Sequence, residues 1–152
     1  MTGNAEGKRR AASGGDEGVR VVAVARMVDR VVVASYTHVD KRGEGGSSSG
    51  QVYADVLQRV LRSQQTVESN PRLTITDKDA GTIHYETDKE CIYVLVTAPD
   101  YPQRTAFRCL DELKASFRAE FLEAMHKSAE CGLSKATSRL FSDICTRYAD
   151  AS

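Results

Sequence analysis

The feature that most constrains this chain is a valine-dense stretch near its start, VRVVAVARMVDRVVVASYTHV, at residues 19–39. β-Branched side chains lose rotamer freedom in a helix and fit a pleated surface, so the stretch reads as strand. Asp29-Arg30 lies midway and marks a turn, giving an antiparallel hairpin. The turn pair contains no glycine, which leaves its type open.

Glycine divides what surrounds the hairpin. Residues 1–18 form a polar, glycine-containing tail that reads as disordered, and GEGGSSSG at 43–50 reads as a flexible loop. QVYADVLQRVLRSQQ follows. Val52, Val56 and Val60 recur at i, i+4 and i+8 with Tyr53, Leu57 and Leu61 beside them, and Asp55, Gln58, Arg59 and Arg62 fall outward. That is an amphipathic helix. Pro71 opens a fresh element. Arg72–Thr76 alternates around Leu73 and Ile75, and Thr82–Glu86 around Ile83 and Tyr85, with a turn at Asp79-Ala80-Gly81. CIYVLV then completes a three-stranded meander.

The strongest helical signal comes after Pro102, where Ala106, Leu110, Leu113, Phe117 and Phe121 recur at spacings of 4, 3, 4 and 4. The helix runs on toward Met125, with Gly132 as its expected stop. Ser134 is the expected cap of a last helix that places Thr137, Leu140, Phe141, Ile144 and Tyr148 on one face. The order β-β-α-β-β-β-α-α predicts one α+β domain over residues 19–150, with helices packed on an antiparallel sheet.

With 152 residues and 41% hydrophobic content, the chain is long enough to bury a core without a metal or disulfide staple. Its 21 basic and 21 acidic side chains balance, which disfavours a general nucleic-acid binder or a polybasic membrane-surface protein. Protein partners are the expectation. Cys91, Cys109, Cys131 and Cys145 form no CxxC pair and read as free thiols in a reducing compartment. The N-terminus lacks the apolar core of a signal peptide, and no apolar run approaches the roughly 18–20 residues of a membrane span.

Tests for chemistry return little. GEGGSSSG lacks the GK[ST] ending of a phosphate loop and fails GxGxxG at Ser48. No GxSxG elbow exists, and no cysteine has a local signature with His38, His84 or His126. His38 borders a loop, His84 sits on a sheet face and His126 on a polar helix flank, so none reads as a metal ligand. Lys8-Arg9-Arg10 is balanced by Glu6, Asp16 and Glu17 and reads as solvated tail. No catalytic, cofactor-binding or metal residue emerges, and no cofactor is expected. The residues describe an interaction domain rather than an enzyme.

The stretch GTIHYETDKECIYVLVTAPDYPQRTAFRCLDELKASF resembles the diagnostic segment of longin domains. Gly81, His84, Tyr85, Tyr93, Leu95, Tyr101, Pro102, Ala106, Phe107, Leu110, Leu113 and Phe117 fall in place, and ARMVD in the opening hairpin is similar too. Tyr-Pro-x-Arg-x-Ala-Phe and Thr-Arg-Tyr resemble the lipid-anchored Ykt-type member. Thr-Ile-His-Tyr is closer to the Sec-type and synaptobrevin-like members, so the subfamily stays open. The resemblance covers about residues 19–150. It implies a longin (profilin-like) fold: a five-stranded antiparallel sheet with one helix on one face and two on the other. It also implies the regulatory, non-catalytic head of a vesicle R-SNARE on the cytoplasmic face of ER, Golgi or endosomal membranes. Such a head binds its own SNARE motif, other SNAREs, or coat and sorting adaptors in vesicle traffic and membrane fusion. No heptad segment, transmembrane helix or CaaX box follows Tyr148. The chain is therefore expected to be either the N-terminal part of a longer SNARE or a stand-alone longin-like subunit of a tethering or adaptor complex.

The two adjacent apolar stripes on the first helix suggest where a partner binds. If Val52, Val56 and Val60 cover the sheet, then Tyr53, Leu57 and Leu61 border a groove whose opposite wall is Leu73 and Ile75 on the third strand. The alternative is that both stripes are core.

Overall fold

The computed structural model describes residues 18–38, 46–63 and 71–149, with backbone alone for 46–51. Its elements are β1 (Val19–Arg26), β2 (Val32–Thr37), α1 (Gly46–Arg62), β3 (Arg72–Asp77), β4 (Gly81–Thr87), β5 (Cys91–Thr97), α2 (Gln103–Lys127) and α3 (Ser134–Tyr148). The order is the one expected from the sequence. Most of the expected tail (1–17) and residues 43–45 of the expected loop lie outside the described residues, as does residue 150. Gly18, assigned to the tail by composition, belongs to the fold: its N–H donates to Ala149 O and its carbonyl accepts Ala98 N–H.

The strands form one antiparallel sheet in the order β2-β1-β5-β4-β3. β1 is thus an interior strand, covered on both faces, which is why it reads as nearly continuous valine and alanine. Alternation sends its side chains to two cores. Val22 and Val24 join Tyr93, Leu95, Leu110, Phe117 and Phe141 in a core shared with α2 and α3. Val21, Ala23 and Ala25 join Val56, Leu61, Ile83 and Val94 in a core shared with α1.

Three details differ from the sequence reading. α1 begins at Gly46, so five residues of the Gly/Ser stretch form its start. The first N–H groups of a helix have no intrahelical partner in any case, and the amphipathic segment propagates backwards through them. α2 ends at Lys127, well before Gly132. The stop is an arginine from β1: Arg26 Nη1 donates to Met125 O and Ser128 O, both at 2.8 Å. A guanidinium there satisfies orphan carbonyls and suits the negative helix end. Ser134 does not cap α3; the N-cap is Leu133, and Ser134 Oγ accepts the Ser35 N–H of β2 at 3.1 Å.

Tight turns set the meander. Asp77 Oδ2 accepts the N–H groups of Asp79 and Ala80, and Gly81 then adopts φ 115°. A Cβ at Gly81 would overlap the Thr97 carbonyl oxygen, so glycine is required twice over.

Candidate functional site

α1 lies across the sheet, and its two flanks face opposite edges. Arg59 pairs with Asp77 of β3 at 3.1 Å, which turns the flank carrying Val52, Val56 and Arg59 toward β3. Tyr53 and Leu57 instead border a hollow of ≈ 130 Å³ with Val32, Ser35, Thr37 and Cys131 on the β2 side. β2 and β3 are the two edges of a five-stranded sheet, about 19 Å apart at 4.8 Å per strand. Tyr53 on α1 and Leu73 and Ile75 on β3 all pack against the cluster that holds Leu57 and Leu61. The helix residues that face β3 belong to the Val52 stripe.

Burial separates the expected residues further. Leu57 and Leu61 are core, at 6% and 2% exposure, while Tyr53, Leu73 and Ile75 are half-buried against the same cluster, as is Val52. A second, wider hollow of ≈ 680 Å³ sits at the tip of the β1–β2 hairpin between Val31, Arg30, Gln58, Leu61 and Glu130. Beside it, Val28 is a fully presented apolar side chain at 86% exposure. The periodicity of α1 gave no hint of the β2-side hollow, because Ser35, Thr37 and Cys131 are polar or small and arrive from two other elements.

On the opposite face His84 is buried and bonded at both ring nitrogens, to Thr74 Oγ1 at 3.0 Å and Thr97 Oγ1 at 3.1 Å. The proton order follows from the partners. Thr97 spends its only hydroxyl proton on Ala98 O, so it accepts from His84 Nε2–H. Nδ1 is then the acceptor, and Thr74, which itself accepts from Gln103 Nε2, donates to it. Burial lowers the His84 pKa to about 4, so this imidazole is neutral at physiological pH and its edge-on contact with Phe107 is a packing contact. It is a structural histidine. Neither of its nitrogens is free to take a metal or a proton from a substrate.

The thiols are equally quiet. Burial pushes Cys91 up to about 11 and Cys109 and Cys145 up to about 12, so all three stay protonated and poorly nucleophilic. Cys131 is exposed and holds φ 57° in the α2–α3 connection. Among the described residues no group of three or more His, Cys, Asp or Glu side chains is placed to hold a metal ion. No helix of the described residues is long and apolar enough to cross a membrane.

A polar constellation fixes the β4–β5 turn to α2. Asp88 accepts from Tyr93 Oη, from the N–H groups of Glu90 and Cys91, and from Arg118 at 3.0 Å. Burial alone would raise this carboxyl, but these donors outweigh it and its pKa is lowered. Arg118 also pairs with Glu90 at 2.8 Å. Every member is occupied by another member, which is the signature of a brace rather than of a reactive centre.

A five-stranded antiparallel sheet flanked by helices, with His84 and three thiols kept neutral by burial, defines the α+β class of the domain. Comparison with known families makes this specific: the longin model, described as a regulated-SNARE-like domain, matches residues 39–139. The chain belongs to the longin family. The match begins after β1 and β2, yet β1 pairs with β5 from Val19 to Arg26, so the hairpin is integral to the same sheet. No curated protein matches the chain. Longin domains are a regulatory family that mediates protein interactions.

Proposed function

We propose that this domain is the non-catalytic regulatory module of a vesicle SNARE, acting at the cytoplasmic face of endomembranes. The observation that carries the reading is the longin match together with a half-buried apolar strip formed by Val52, Leu73 and Ile75 along the β3 side of α1. An amphipathic segment, either the SNARE motif of the same protein or a helix of a sorting partner, lays its apolar face on that strip. Bound in this way, a SNARE motif is withheld from fusion complexes until a competitor shifts the population.

The test is recovery of partners from detergent-solubilised membranes by the wild-type chain and by a Leu73→Asp/Ile75→Asp variant, with mass spectrometry as the readout. SNARE proteins recovered by the wild type and lost from a variant that still melts cooperatively support the proposal. If that variant does not fold, Val52→Asp on the helix side replaces it. Stoichiometric recovery of soluble tethering or adaptor subunits, unchanged in the variants, overturns it in favour of a structural subunit.

A further inference from the structure

The two edges of the sheet are treated differently. At β2, Val32 O and Val33 O accept the N–H groups of Cys131 and Leu133 at 2.7 and 2.8 Å, so the α2–α3 connection closes that edge. At β3 the ladder register can be read outward. Thr87 N–H donates to Pro71 O, which makes 71/87 a hydrogen-bonded pair. The register Leu73↔Tyr85, Ile75↔Ile83 and Asp77↔Gly81 continues the same phase. The N–H and C=O groups of Arg72, Thr74 and Thr76 therefore point away from β4. No hydrogen bond to any of these outward groups is formed among the described residues. An edge with this many open groups is a template for another strand.

The side chains around this edge specify what that strand must carry. On the α2 face, Arg72 lies over the Phe107 ring at 4.7 Å, and Arg104 and Arg108 border the same shallow hollow of ≈ 530 Å³. Arg104 and Arg108 are exposed, one helical turn apart, and form no ion pair among the described residues. Glu86 and Asp111 both engage Arg72, at 2.8 and 3.4 Å, and Glu86 also meets Lys114 at 3.5 Å. The patch keeps a positive excess. On the α1 face, the neighbours of an added strand are the half-buried Leu73 and Ile75.

We infer that the β3 edge binds an extended peptide segment in which acidic and apolar residues alternate. The backbone groups of Arg72, Thr74 and Thr76 supply the ladder. Period-2 alternation sets the acidic residues beside Arg104 and Arg108 and the apolar residues beside Leu73 and Ile75. This goes beyond the SNARE reading and does not rest on it: the two surfaces share Leu73 and Ile75, but the backbone edge and the arginine pair lie outside the strip proposed for a helix.

The probe is an end-capped octapeptide alternating glutamate and valine, titrated into the full-length isotope-labelled chain. Saturable binding is expected, with shifted and exchange-protected amides at Thr74 and Thr76, weakening as salt rises. An Arg104→Glu/Arg108→Glu variant is expected to bind at least about tenfold more weakly. A lysine–valine octapeptide should not bind. Thr76→Pro removes an outward donor without touching the β4 ladder and should abolish protection at Thr74. Absence of saturable binding to the wild type overturns the inference. So does binding that persists unchanged in the charge-reversed variant, whose two positions are exposed and do not endanger the fold.

Discussion

Acidification from pH 7.5 to 4.5 should remove a defined share of this domain's stability through one side chain. His84 titrates at about 4 in the folded chain and at 6.5 in the unfolded one, because burial penalises the imidazolium. Between these values the unfolded state binds the proton and the folded state does not, so stability falls as pH falls through that window and is unaffected above it. The full difference is about 3 kcal/mol, of which about 2 kcal/mol is already lost at pH 5. That is a substantial part of a typical 5–15 kcal/mol domain stability. The carboxyls of Asp77 and Asp88, lowered by their hydrogen-bond donors despite burial, stabilise above the ordinary carboxylate range and lose that contribution only below it. The assay is urea unfolding of wild type and His84→Leu across this range. At pH 7.5 the variant should be less stable by about 1–3 kcal/mol for its lost hydrogen bonds. The gap should narrow by about 2 kcal/mol at pH 5, since the variant has no proton to gain. Parallel pH profiles for the two chains, or a ring titration with its midpoint near 6.5, would refute the reasoning.

Other perturbations have equally direct readouts. Arg26→Ala leaves Met125 O and Ser128 O without their guanidinium donor and should cost about 1.5–3 kcal/mol in a thermal melt, with the last turn of α2 losing amide-exchange protection first. Gly81→Ala combines a positive φ with overlap on the Thr97 carbonyl and should destabilise by more than about 2 kcal/mol. Leu57→Asp buries a carboxylate in the α1 core and should unfold the domain rather than leave it folded and partner-blind. In native buffer a thiol reagent should modify Cys131 rapidly and the buried Cys91, Cys109 and Cys145 only on unfolding.

The hairpin, the meander and α2 were legible because each depends on local periodicity: valine density for β1, alternation around Leu73 and Ile75, and the 4-3-4-4 spacing from Ala106 to Phe121. Which flank of α1 faces β3 was not. Its two stripes differ by one residue, or 100° of rotation, and either satisfies the same spacing. The Arg59–Asp77 pair, a contact across 18 positions, and the hollow that Tyr53 and Leu57 share with β2 show how the helix is turned. The end of α2 was hidden for the same reason, since its cap comes from Arg26, 99 positions earlier than Met125. Ser134 shows the converse: a serine in the position of a cap is diverted to the edge of β2 by a tertiary contact that no local pattern encodes.

The strip along α1 and the open edge of β3 meet at Leu73 and Ile75, and their geometry makes them cooperative rather than exclusive. A strand paired with β3 lies about 4.8 Å further out in the plane of the sheet. A helix on the α1 side lies above that plane, at the roughly 10 Å spacing of packed layers. The apolar side chains of the added strand would then widen the floor on which the helix rests. Each ligand presents the other with more apolar surface than the free domain does, so each should tighten the other by the same factor. Competition between the glutamate–valine peptide and an amphipathic helix would mean instead that the helix binds at the sheet edge, with its axis where the added strand would run.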